Sequence, residues 1–221
     1  MKAHHKNDRS SAEVAQQVSD VPRPPSESCT INEVSGDLFD APEGSALIHA
    51  CNTLGVWGGG VAQSFKILYP AAFRVYREYC LQYRKFKETH VITDLSDKAK
   101  GLSTVVLPVG TALIIPPQPS DSRQGKKKKK QHWVICLFTS EGIGRHVDPP
   151  AQILNNTFAA LQDLKSKLTD LLLDGTEPSP RGLYSCRFNS GLFAVPWTHT
   201  RQLLEESGLR VTVVTPPTQG E

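Results

Sequence analysis

The segment Ser45-Ala46-Leu47-Ile48-His49-Ala50-Cys51-Asn52, followed two residues later by Gly55-Val56-Trp57-Gly58-Gly59-Gly60 and then by Val61-Ala62-Gln63-Ser64-Phe65-Lys66-Ile67-Leu68, decides how this chain is read. The first part is a short apolar run of strand length, and the last is helix-forming. Between them, four of six residues are glycine. Without Cβ atoms such a loop can approach an anion closely, adopt positive φ and aim backbone N–H groups at it. A helix opening directly behind it adds the unsatisfied N–H groups of its first turn and the positive end of its dipole. A strand, a glycine turn and a helix in that order predict an anion site at a strand end.

Working outward, a short strand beginning near Ile31 ends in Gly36-Asp37-Leu38-Phe39. Further strand-like runs lie at Ser103–Leu107, Ala112–Ile115, His132–Phe138, Leu183–Phe188 and Leu209–Val214, all rich in Val, Ile, Leu or aromatic residues. Helices are predicted over Gly59–Tyr69, Pro70–Tyr83, Pro150–Leu173 and Trp197–Ser207. Pro70 suits a first helical position, Gly208 suits a stop, and Ile153, Leu154, Phe158, Leu161, Leu164 and Leu168 form an apolar stripe. Strands alternating with helices predict an α/β fold with a mixed central sheet covered on both faces. Residues 1–28, rich in Ser, Pro and charge, read as a disordered leader before one domain spanning 29–216, with a tail at 217–221. Pro116–Gln131 and Asp174–Arg181 read as insertions outside the sheet.

Composition narrows the class. With 221 residues and 38% hydrophobic content, the chain is long enough for one real core. No run approaches the length of a membrane span, and the polar start Met1-Lys2-Ala3-His4-His5-Lys6 lacks the apolar core of a secretory signal, so a cytoplasmic or nuclear protein is expected. The net charge of +3 is local: five of the positive charges sit in Lys126–Lys130, leaving the remainder slightly acidic. That run reads as a solvated loop, with weak contact to nucleic acid or an acidic partner as the alternative. Five scattered cysteines without a C-x-x-C pair argue against a disulfide framework or zinc cage, and Cys51, Cys136 and Cys186 read as small buried hydrophobes. No cofactor fingerprint or metal-ligand spacing is present, so neither a cofactor nor a metal is expected.

Several polar residues carry two readings each. Asp37 caps a turn or accepts from an exocyclic amine. His49, within an apolar strand, is a satisfied core histidine or a general acid–base group. Asn52 suits ribose hydroxyls or a positioned water. Asn189-Ser190-Gly191-Leu192-Phe193-Ala194, after a strand and before the Pro196-led helix, repeats the arrangement of the first glycine loop. Two such loops at neighbouring strand ends would clamp a pyrophosphate from both sides. Gly142-Ile143-Gly144-Arg145-His146 could cover the same rim, with Arg145 or His146 as phosphate contacts or as exposed loop residues.

Taken together, Gly36-Asp37-Leu38, His49-Ala50-Cys51-Asn52, Trp57-Gly58-Gly59-Gly60-Val61-Ala62 and Asn189 to Trp197 resemble the macro domains, and closely the fungal ADP-ribose 1''-phosphate phosphatases, with Leu137-Phe138-Thr139-Ser140 fitting as well. The likeness runs from about Ile31 to Val214 and implies a three-layer α/β/α sandwich holding ADP-ribose at its strand ends. By this resemblance Gly36, Asp37 and Leu38 bind the substrate, with Asp37 on the adenine amine. Ala50 and Cys51 also bind the substrate, Asn52 faces the distal ribose, and Trp57–Ala62 and Asn189–Val195 carry the phosphates. His49, where many macro domains have asparagine, would assist as acid or base. The implied reaction is hydrolysis of ADP-ribose 1''-phosphate, a by-product of tRNA splicing. A non-catalytic ADP-ribose-binding module or an ADP-ribosyl hydrolase is the alternative. Ala194 replaces a glycine common in the second loop, and Ser140 and Phe193 replace the lysine and aspartate of glutamate-ADP-ribosyl hydrolases, which argues against that last activity.

Overall fold

Alternate residues of the strand that carries His49 point into different helical layers, and this alternation organises the chain. The computed structural model describes residues 31–89, 108–124, 127–128, 130–175 and 178–217. In chain order, β1 (Asn32–Ser35) is followed by a 3-10 turn at Leu38–Asp40, β2 (Ala46–Asn52), α1 (Gly60–Leu68) and α2 (Pro70–Thr89). Next come β3 (Ala112–Ile115), a 3-10 turn at Pro119–Ser122, the two-residue strands β4 (Arg123–Gln124) and β5 (Lys127–Lys128), and β6 (Trp133–Ser140). The chain closes with α3 (Pro150–Asp174), β7 (Leu183–Ser185), α4 (Trp197–Glu206) and β8 (Val211–Thr215). The strand predicted at Ser103–Leu107 and the leader at 1–28 lie outside the described residues.

The main sheet has the order β1-β8-β7-β2-β6-β3. Every pairing is parallel except that of β3 with β6, which makes the sheet mixed. All eight residues of β6 are buried, as a strand covered on both faces requires. Leu47, Cys51, Val134, Cys136 and Phe138 face one core with Phe65 of α1 and Ala72, Tyr76 and Cys80 of α2. Ala46, Ile48, Ile135 and Leu137 face the other, against Ala160, Leu161 and Leu164 of α3 and Leu204 of α4. This is the three-layer sandwich expected from the sequence. Fully burying each such aliphatic or aromatic side chain contributes about 1.5–3 kcal/mol.

One expectation is corrected by packing. The buried stripe of α3 runs through Ile153, Thr157, Ala160, Leu161 and Leu164, whereas Phe158 is half exposed. The polar members are inside because they have partners: Asn156 Nδ2 donates to Thr139 O at 3.0 Å, and Thr157 Oγ1 accepts from Asn189 Nδ2 at 2.9 Å. The segment Pro116–Gln131 is also not wholly detached. Buried Asp121 caps α2, accepting from Ala71 N at 2.7 Å and Ala72 N at 3.1 Å. Lys130 Nζ donates to Asp40 O at 2.6 Å and Ala41 O at 3.1 Å, so this end of the lysine run is tied to the turn after β1. Among the described residues, no helix is long and apolar enough to cross a membrane.

A candidate active-site cleft

At β2 the chain leaves toward α1 and α2, and at the neighbouring β7 it leads toward α4 on the opposite face. Ligands of open α/β sheets sit in the crevice that such a divergence opens at the carboxyl ends of the strands. A cavity of about 710 Å³ lies there. Its wall is formed by Ala50–Asn52, Val56–Ala62, Ile143 and Gly144, Cys186–Asn189, Gly191–Phe193 and Val214–Pro216.

The two small-residue loops meet across this cavity. A Cβ on Gly59 would lie 3.0 Å from Leu192 Cδ1, a tight contact that Leu192 would have to yield to, so the two loops approach each other closely here. Gly60 opens α1 with φ +56°, in the left-handed region that glycine tolerates. Among the described residues, the N–H groups of Gly58, Gly59, Gly191, Leu192 and Phe193 donate no internal hydrogen bond. Lining one cavity beside the first turn of α1, they are available to serve as anion donors.

The second loop is held from beneath by Asn189, which adopts φ +66° and is buried. Its Oδ1 accepts from Thr139 Oγ1 at 2.9 Å and its Nδ2 donates to Thr157 Oγ1 at 2.9 Å, joining β6, α3 and the loop. Val195 N donates back to Asn189 O at 3.0 Å. Ala194 has φ +54°, which accounts for the preference for glycine there: a non-glycine residue in this region costs roughly 1–2 kcal/mol.

Asn52 lines the cavity and also braces the first loop. Its Oδ1 accepts from Leu54 N at 3.0 Å and Val56 N at 3.3 Å, and its Nδ2 donates to Val56 O at 2.6 Å. The hydroxyl of Tyr76 donates to Asn52 O at 2.7 Å and lies 3.1 Å from its Oδ1. Asn52 therefore shapes the first loop. Burial pushes the Tyr76 phenol far up, with the neighbouring Cys51, Cys80 and Cys136 adding to the effect, so this brace stays a donor. Nothing in the sequence beyond helical spacing marked Tyr76.

His49 is corrected as a direct acid–base group. It is fully buried, stacked on Phe65 with centroids 4.1 Å apart and edge-on to Trp57 at 4.8 Å, and it is absent from the cavity wall. Strand alternation turns it into the α1–α2 core with Leu47 and Cys51, not toward the open strand ends. Its route to the cavity passes through Cys51, whose Sγ lies 3.5 Å from His49 Nε2. Cys51 reaches the wall although it is only 2% exposed and packs in the α1–α2 core. Burial opposes its ionisation, but the neighbouring Cys136 thiol and the His49 imidazole outweigh that and hold it below the usual thiol range. The ligating atoms of His49, Cys51 and Cys136 lie within 4.8 Å of one another, a grouping that residue spacing along one strand could not show. A closed zinc site takes four ligands, and no fourth imidazole, thiol or carboxylate joins this group among the described residues.

The other expected positions divide. Trp57–Ala62 and Asn189, Gly191, Leu192 and Phe193 line the cavity as expected; Ser190, Ala194 and Val195 do not. Asp37 is exposed beside the mouth, its Oδ1 accepting from Phe39 N at 2.9 Å, and Gly36 N donates to Thr215 O of the wall at 2.8 Å. Leu38 belongs to the core. Ile143 and Gly144 reach the wall, whereas Arg145 and His146 are exposed loop residues. Val214, Thr215 and Pro216 were missed, because a strand end with no unusual residue carries no signal.

The chain matches no family model. It is 50% identical over 198 residues to the ADP-ribose 1''-phosphate phosphatase of Aspergillus fumigatus, covering 87% of this chain and 98% of that one. It is 49% identical over 197 residues to the protein of the same name from Neosartorya fischeri, covering 87% and 97%. Among solved structures, the macrodomains of DarG from Mycobacterium tuberculosis and Thermus aquaticus superpose with TM-scores of 0.55 and 0.54, each at 20% identity over 85% of this chain and 99% of theirs. The fold is thus that of the macrodomains, and by its likeness to the fungal proteins the chain belongs to the ADP-ribose 1''-phosphate phosphatase family.

Proposed function

We propose that this protein hydrolyses ADP-ribose 1''-phosphate to ADP-ribose and inorganic phosphate. The observation that carries the reading is the pair of small-residue loops that line one cavity at the β2–β7 divergence and whose N–H groups at Gly58, Gly59 and Gly191 to Phe193 donate no hydrogen bond among the described residues. A pyrophosphate fits between two such donor sets, and its binding leaves the distal ribose and its 1''-phosphate over the end of β2. The relatives' names supply the substrate, and the DarTG structure from Thermosipho africanus, of which this chain spans 43%, is described as a complex with ADP-ribose. Asp37 would accept from the adenine amine at the mouth with the carboxylate oxygen not used by Phe39 N. In this reading the site orients the ester for in-line attack and stabilises charge on the transferring phosphoryl oxygens with preorganised amides.

The test is release of inorganic phosphate from ADP-ribose 1''-phosphate, with calorimetry on ADP-ribose in parallel. Phosphate release with tight ADP-ribose binding is expected. Binding without release would make the protein a reader of ADP-ribose, and absence of both would remove the basis for either reading. Contact of Lys126–Lys130 with nucleic acid is a separate proposal. It predicts steeply salt-dependent RNA binding that disappears when the lysines are replaced.

A further inference from the structure

The turn that carries Asp37 is fastened at both ends, and the residues holding its far end line no part of the cavity. At the near end, Gly36 N donates to Thr215 O of the wall at 2.8 Å. Leu38–Asp40 then forms a 3-10 turn capped by Asp37 itself, whose Oδ1 accepts from Phe39 N at 2.9 Å. The carbonyls leaving this turn, Asp40 O and Ala41 O, receive the Lys130 ammonium at 2.6 and 3.1 Å. Ala41 O also lies 3.0 Å from His132 Nε2. Between these two residues, Gln131 O accepts from Gly44 N at 2.8 Å. The lead-in to β6 thus grips a turn that lies far earlier in the chain.

His132 is the rigid member of this grip. It is 3% exposed, and both of its ring nitrogens are engaged. A carbonyl only accepts, so Nε2 carries the proton and donates to Ala41 O, which leaves Nδ1 to accept from the Tyr69 hydroxyl at 2.7 Å. The ring of Tyr69 packs against Phe39 of the turn with centroids 6.1 Å apart, and Phe39 stands edge-on to Phe65 of α1 at 5.0 Å. Burial raises the Tyr69 phenol, with the charges of Asp121 and Asp37 adding to it. Burial, assisted by the Lys130 charge, holds His132 below the usual histidine range against the pull of the Ala41 carbonyl. Tyr69 therefore stays a donor and His132 a neutral ring in neutral solution.

Resting on the reading of Asp37 as acceptor for the adenine amine, we propose that Lys130 and His132 are positioning residues that set the selectivity for the base. Asp37 is exposed, and among the described residues its side chain bonds only within its own turn, so the carboxylate goes where the turn goes. A displacement of about 1 Å is enough to lose a hydrogen bond to the base. A base that presents a carbonyl oxygen instead of an amine sets acceptor against acceptor, so discrimination rests on where this carboxylate is held. Lys130 suits the task because its long stem brings several donors to two adjacent carbonyls. As the last residue of the lysine run, it joins that run to recognition of the base.

The experiment uses the full chain and two ligands, ADP-ribose and its hypoxanthine analogue, which carries a carbonyl oxygen where adenine carries the amine. By calorimetry, wild type should favour ADP-ribose by roughly tenfold or more, and Asp37→Ala should cut that preference to about threefold or less. Lys130→Met keeps the stem and removes the donors. It should reduce the preference by about threefold or more through weaker ADP-ribose binding, with the analogue bound within about twofold of wild type. With ADP-ribose 1''-phosphate as substrate, the same variant should raise KM and leave kcat within about twofold. Lys130→Arg should restore the preference, and a folded His132→Gln variant should lower it as Lys130→Met does. An intact preference in Lys130→Met, or equal weakening of both ligands, would overturn the positioning role. If Asp37→Ala loses the preference in the same series, the adenine reading survives that result. No preference in wild type, or one that persists in Asp37→Ala, would overturn the adenine reading and the proposal with it.

Discussion

Replacing Asn189 by Ala should both destabilise the fold and weaken ADP-ribose binding, because one carboxamide holds the second loop against β6 and α3. Two hydrogen bonds of 2.9 Å are lost, one from Thr139 Oγ1 and one to Thr157 Oγ1, at about 1 kcal/mol each for a buried site. Alanine must also adopt φ +66°, which asparagine tolerates better, adding about 1 kcal/mol. The sum, about 3 kcal/mol, is a large share of the roughly 5–15 kcal/mol that holds a domain folded. Urea unfolding of wild type, Asn189→Ala, Thr139→Val and the double variant should show a midpoint shift of that size. The double variant should be less than additive by about 1 kcal/mol, since the two changes delete the same bond. Calorimetry at a temperature where the variant is still folded should show at least a tenfold loss of ADP-ribose affinity, because the Gly191–Phe193 amides depend on this anchor. A stability loss under about 1 kcal/mol together with unchanged affinity would show that the loop is held by something else.

Gly59→Glu should abolish ADP-ribose binding, since its Cβ would begin 3.0 Å from Leu192 Cδ1 and its carboxylate would enter the phosphate cradle; unchanged affinity by calorimetry would contradict the assignment. Ala194→Gly should leave stability unchanged or raise it by up to about 1 kcal/mol, as relief of the φ +54° strain offsets the greater freedom of the unfolded chain, which urea unfolding can measure. Glu33 is held below the usual carboxylate range by its hydrogen bond to Arg187, burial opposing, with Trp197 and the charges of Arg187 and Arg201 assisting. Its stabilising effect is therefore full above the ordinary carboxylate value and is lost as pH falls through the lowered one. Glu33→Gln should flatten that acid limb by under about 1 kcal/mol, and an unaltered pH profile would remove the effect.

The parts of the site made of backbone were legible in the sequence, because glycine and small-residue turns between strand and helix advertise their amides by residue type. Side-chain roles were harder. His49 is unusual in its strand at the level of sequence, but only the position of the helices shows that its face is the α1–α2 core. Asn52 offers the same donor and acceptor to ribose or to a neighbouring loop, and its bonds to Leu54 and Val56 of the loop and to Tyr76 of α2 could not be read from residue type. Cys136 joins Cys51 through strand pairing, which residue spacing does not record. On α3, tertiary hydrogen bonds overrode the apolar stripe, drawing Asn156 and Thr157 inward and leaving Phe158 half exposed.

The lysine-rich excursion between β3 and β6 has one foot in the body of the protein. Asp121 secures the opening turn of α2, and less than two turns further along that helix Tyr76 steadies the floor of the cleft. Excising Pro116–Gln131 as a dispensable ornament would therefore fray a helix that the ligand never touches and loosen the pocket from a distance. A shortened variant that keeps Pro119–Ser122 preserves the splint while shedding the positive charge.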